Sequence, residues 1–87
     1  MLCIITQRIV MPTVLRVDGY RFFFFSDEHS PQHIHIEKGD GYARIELETI
    51  KVTDSYNLNS KELKKLSRLV EQNSEKLRKA WNEYFKQ

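Results

Sequence analysis

Apolar and polar residues alternate along two stretches of the first half of the chain. His33-Ile34-His35-Ile36-Glu37 is one, and Tyr42-Ala43-Arg44-Ile45-Glu46-Leu47-Glu48 is the other. Successive strand side chains point to opposite faces. Ile34, Ile36, Ala43, Ile45 and Leu47 are therefore predicted on a core face, with His33, His35, Glu37, Tyr42, Arg44, Glu46 and Glu48 on the other. Asp40-Gly41 lies between these strands. Asp18-Gly19 lies in the same way between residues 13–17 and 20–25, which are rich in β-branched and aromatic side chains. Asp-Gly favours the positive φ angles of a tight hairpin. The four phenylalanines at 22–25 interrupt alternation, as a strand covered on both faces does.

The second half carries helical spacing. Leu63, Leu66, Leu69 and Val70 form one apolar stripe, and Leu77, Ala80, Trp81, Tyr84 and Phe85 continue it past Asn73-Ser74. Asn59 with Glu62 three residues later reads as a capping box at the start. With no Gly or Pro between the halves, one long helix kinked near Asn73 is preferred to two helices. Residues 51–58 are a short strand or a connection. The expected fold is α+β: a four- to five-stranded, mostly antiparallel sheet of two hairpins, then a long C-terminal helix or helix pair. Residues 1–10 form an N-terminal extension or edge strand (Ile4, Ile5, Ile9, Val10), and 11–87 a single domain.

A two-residue turn at Asp40-Gly41 sets a register. Gly39 then pairs with Tyr42, Glu37 with Arg44, His35 with Glu46 and His33 with Glu48. Ile36 meets Ile45, and Ile34 meets Leu47.

Composition narrows the function classes. The chain has 87 residues, 40% hydrophobic and 30% charged, enough for one domain with a ring-rich core. Fourteen Lys+Arg against twelve Asp+Glu give a formal charge of +2, well short of a protein that coats nucleic acid. The one cysteine, Cys3, excludes an intrachain disulfide and any multi-cysteine metal site, and it has no activating neighbour. No apolar run approaches the roughly twenty residues of a membrane helix. A cytoplasmic protein with no membrane association is expected. There is no glycine-rich phosphate loop and no serine nucleophile elbow.

The histidine face admits three chemistries. Two imidazoles with different neighbours can divide into general acid and base, as a metal-independent ribonuclease requires. His33 and His35 would then be catalytic, with Glu46 or Glu48 orienting them and Arg44, Arg21 and Lys38 contacting phosphate. The second chemistry is metal binding. Two imidazoles about 6.6 Å apart along a strand can converge on one ion. A divalent metal is the alternative to no cofactor, with His33, His35 and Glu48 as ligands; Glu46 and the loop residue His29 also qualify for the third place. The third reading is a solvated face of ordinary cross-strand pairs. The basic residues of the helix (Lys61, Lys64, Lys65, Arg68) leave room for a salt-sensitive RNA contact.

Several motifs in order resemble the small prokaryotic domain-of-unknown-function family 4160. They are Met11-Pro12-Thr13-Val14-Leu15-Arg16, Gly19-Tyr20-Arg21-Phe22-Phe23-Phe24, Pro31-Gln32-His33-Ile34-His35-Ile36, Gly39-Asp40-Gly41-Tyr42-Ala43, Lys61-Glu62-Leu63 and Ala80-Trp81-Asn82-Glu83-Tyr84-Phe85. The match runs from Met11 to the end. Relatives commonly carry two prolines before the first histidine, where this chain has Pro31-Gln32, and Ser-Pro where it has Asn59-Ser60. The family carries no established activity. The resemblance implies a genetic setting beside an antitoxin-like protein of the domain-of-unknown-function family 2442. The expectation is thus a toxin-like component of a toxin–antitoxin-type module that acts on RNA, with a small antitoxin-like partner and room for a homo-oligomer. The alternative is a non-enzymatic protein-interaction module.

Overall fold

The computed structural model describes residues 13–85. The extension 1–10 and Cys3 lie outside the described residues. Five strands, β1 (Leu15–Val17), β2 (Tyr20–Phe23), β3 (His33–Lys38), β4 (Gly41–Glu46) and β5 (Val52–Tyr56), precede two helices, α1 (Ser60–Gln72) and α2 (Ser74–Tyr84). The strands form one antiparallel meander in the order β1-β2-β3-β4-β5.

The first hairpin follows the turn chemistry. Val17 pairs with Tyr20, and both central residues have positive φ, 52° at Asp18 and 84° at Gly19. The second hairpin differs from expectation. Its central pair is Gly39-Asp40, because Lys38 pairs with Gly41. Gly39 takes φ 57°, which a type II′ turn requires at its first central position. Gly41 opens β4 instead, where a Cβ would meet the Leu58 side chain at 2.5 Å. The register therefore slides by two residues. His33 faces Glu46, Ile34 faces Ile45, His35 faces Arg44, Ile36 faces Ala43 and Glu37 faces Tyr42. An even slide preserves the face of every side chain.

Ile34, Ile36, Ala43, Ile45 and Leu47 are accordingly buried on one face, with Phe22 and Phe24. The helices close that face through Leu66, Val70, Leu77 and Trp81, all buried. The apolar stripe is thus core, and little of it remains for a partner. Of the phenylalanine run, Phe22 and Phe24 go to this core, whereas Phe23 and Phe25 turn to the histidine side. A strand with its two faces covered by different structures explains the unbroken run.

The helix start forms the capping box: Glu62 N–H donates to Asn59 Oδ1 at 2.8 Å, and Asn59 N–H to Glu62 Oε1 at 2.9 Å. The long continuous helix is replaced by a pair. Asn73 leaves helical geometry at φ −113°, ψ 17°. Its side-chain amide donates to Leu69 C=O at 2.8 Å, competing with the backbone ladder there.

Candidate functional site

Loop 26–32 runs from β2 to β3 and covers the strand face that carries His33 and His35. Its end is fastened by Leu47 N–H donating to Gln32 C=O at 3.0 Å and by the Gln32 amide donating to Asn82 Oδ1 at 3.1 Å. The loop passes through a cis Ser30–Pro31 peptide. It carries Glu28 back over the histidines.

The Glu28 carboxylate lies between both rings. His33 Nε2 is 2.8 Å from Oε1, and His35 Nε2 is 2.5 Å from Oε2. The backbone N–H of Phe25 also donates to Oε2, at 3.2 Å. All three side chains are sealed, with 2–3% of their surfaces exposed. Each Nδ1 has a partner outside the trio: the Pro31 carbonyl at 2.7 Å for His33, the Tyr42 hydroxyl at 2.7 Å for His35. Phe23 stacks on the His35 ring at 5.6 Å, and Phe25 meets it edge-on at 4.7 Å.

Burial penalises the Glu28 charge, but the hydrogen bonds from His33 and His35 outweigh it. With the charge of His35 and the Phe25 amide, they hold the carboxyl well below its ordinary 4.5. A depressed folded-state pKa contributes stability that is present above the unfolded value and lost as pH falls. Unfolding titrations are therefore expected to show a stability loss beginning near pH 4.5 and growing on further acidification. Glu28→Gln should lack that component; an unchanged acid limb in the variant would contradict the assignment.

A cavity of about 290 Å³ opens beside the trio. Glu28, His33, His35 and Tyr42 form part of its wall, with Asp27, His29, Arg44 and Asp54 around them. Arg44 lies opposite His35 on β4, and its Nε is buried without a hydrogen-bond partner.

Of the residues chosen from sequence, His33, His35 and Arg44 therefore share one cavity. Glu46 does not orient a histidine: although it pairs with His33 in register, its carboxylate accepts from the Thr49 hydroxyl at 3.0 Å. Glu48 is exposed and lines a different hollow with Pro31 and Arg78, so it does not complete the histidine pair as a metal ligand. Arg21 is held on Glu37 at 2.6 Å and over the Phe23 ring at 4.2 Å, away from the cavity wall. Lys38 shares the core-side parity of Ile34 and Ile36 and lies over Tyr20, 4.8 Å from its centroid. Sequence reading missed Glu28 and Tyr42. Tyr42 could have been found, because its parity already set it on the histidine face. Glu28 had a weaker signal: an acid in the loop that feeds a His-x-His strand.

The family model described as a domain of unknown function (DUF4160) matches residues 19–82, and the chain belongs to that family. The matched span contains Glu28, His33, His35, Tyr42 and Arg44. No curated protein and no solved structure matches the chain.

Proposed function

We propose that this DUF4160 protein is the toxin-like component of a toxin–antitoxin-type module and acts on RNA in the cavity beside Glu28, His33 and His35. The supporting observation is Arg44. The residue lines the cavity beside the trio, and its Nε–H is buried without a partner. Arginine suits phosphate through its planar set of donors. An unpaired buried donor is costly in a native structure unless something binds it.

In this reading Arg44 holds a phosphodiester, and the trio accepts the proton of the adjacent 2′-hydroxyl. The 2′-oxygen attacks phosphorus, and the expelled 5′-oxygen takes up a proton. His33 and His35 differ here from two imidazoles presented directly to a substrate, since each ring nitrogen already has a partner. Glu28 takes the orienting role that Glu46 was expected to fill. The small antitoxin-like protein is the proposed partner, and its binding would suppress cleavage.

Purified protein free of that partner should cleave total RNA on a denaturing gel. General acid–base groups typically contribute about 10²–10⁴-fold. His35→Ala and Arg44→Ala should therefore each lower the rate at least about 100-fold. Cleavage that persists unchanged in both variants, or no cleavage by the wild type, would sink the reading.

A further inference from the structure

We infer that Glu28, His33 and His35 form a binding site for one divalent first-row transition-metal ion, with Zn²⁺ as its simplest occupant. The substrate of such a centre rests on the RNA reading, whereas the ion site stands on other observations.

The first is convergence. Glu28, His33 and His35 each offer a ligand atom, and the three lie within 4.8 Å of one another. They form a two-histidine, one-carboxylate set on a strand and the loop that covers it. Zinc–nitrogen and zinc–oxygen bonds of about 2.0–2.2 Å place tetrahedral ligands roughly 3.3 Å apart. To reach that spacing the widest pair closes by at most about 1.5 Å, while each imidazole–carboxylate pair opens by less than about 1 Å.

The second is the outer shell. A metal-bound histidine uses one ring nitrogen for the ion and anchors the other on an oxygen, which fixes the ring and its tautomer. Both rings have this arrangement: Nδ1 of His33 on the Pro31 carbonyl, and Nδ1 of His35 on the Tyr42 hydroxyl. Both Nε2 atoms are left pointing at the same carboxylate. A mere ion pair has no need for the second anchored imidazole.

The third is charge. Asp27, Glu28 and Asp54 bring three carboxylates to the cavity, against the one guanidinium of Arg44. A dication held at the trio would balance that excess of negative charge. Three protein ligands leave a tetrahedral ion one position unfilled, as in a catalytic site, and the cavity adjoins the trio. When bound, such an ion polarises a phosphoryl oxygen and acidifies an attacking hydroxyl.

The test uses the whole chain, purified without a histidine tag, freed of metal and titrated with Zn²⁺ and, separately, Co²⁺. We expect one ion per chain, cobalt visible bands typical of nitrogen and oxygen ligation, and zinc-dependent shifts of the His33 and His35 Nε2 signals by NMR. His33→Ala should lose the stoichiometric ion. If that variant does not fold, the wild-type NMR signals still decide. Tyr42→Phe removes only an outer-shell anchor and should weaken zinc binding about 10- to 100-fold, with His35 still ligating. Substoichiometric binding, unshifted Nε2 signals, or binding unchanged in a folded His33→Ala would overturn the site. RNA cleavage assayed with and without chelator separates the two readings. A bound ion without cleavage ends the RNA reading and leaves the ion site standing; full cleavage in chelator without any ion bound does the reverse.

Discussion

Replacing Glu28 with alanine is expected to lower the free energy of unfolding of the metal-free protein by about 3 kcal/mol at neutral pH. Breaking a buried ion pair by removing one partner typically costs about 3–5 kcal/mol, because the other charge is left without compensation. Here the deletion leaves two buried N–H groups of His33 and His35 and the Phe25 amide without their acceptor. It also removes the contacts by which Glu28 holds the middle of loop 26–32 on the sheet. The lower end of the range is expected because water can enter from the adjoining cavity and solvate part of what is exposed. Glu28→Gln keeps one acceptor oxygen and the volume, and should lose less. Urea unfolding in chelator measures both variants. A loss below about 1 kcal/mol for alanine would mean that the carboxylate is not holding the loop.

Phe24→Ala should be comparably damaging for a different reason. Phe24 is fully buried and meets Trp81 at 5.4 Å, Phe85 at 5.5 Å and Tyr84 at 6.0 Å, each in edge geometry. It is the point on which the end of α2 rests against the sheet. Truncating a buried phenylalanine typically costs about 3–5 kcal/mol, from lost transfer energy and the cavity left behind. At about 4–8 °C per kcal/mol for a domain of this size, the melting temperature should fall by at least about 12 °C. Phe25→Ala, half-buried on the histidine side, should fall by less. Circular dichroism melts test the pair. Equal shifts for Phe24→Ala and Phe25→Ala would show that α2 does not depend on this ring.

Periodicity carried most of the fold. Alternation alone assigned Ile34 and Ile36 to the core and the histidines to the opposite face, and a two-residue slip could not undo that. The slip arose because both Gly39 and Gly41 flank Asp40, and only their backbone angles decide which one turns. Helix continuity failed at Asn73 for a similar reason. Nothing in the spacing of Leu69, Val70 and Leu77 reveals that an amide side chain will take the Leu69 carbonyl. The site was half legible. Strand residues have directions that follow from parity, so His33, His35 and Arg44 could be placed together. Glu28 sits in a loop, where no repeat tells which way a side chain points. The expected carboxylates had the right parity, but Glu46 closes β4 beside the turn, where Thr49 engages it, and Glu48 lies in that turn, exposed to solvent.

Trp81 has one more consequence. It is the chain's one tryptophan, is almost wholly buried, and its ring lies 5.2 Å from that of His33. Indole emission is quenched by a protonated imidazole at van der Waals range and changes when that ring gains a metal. The molecule thus carries its own fluorophore against the His33 ring, so occupancy of that histidine can be followed by light in the unlabelled protein.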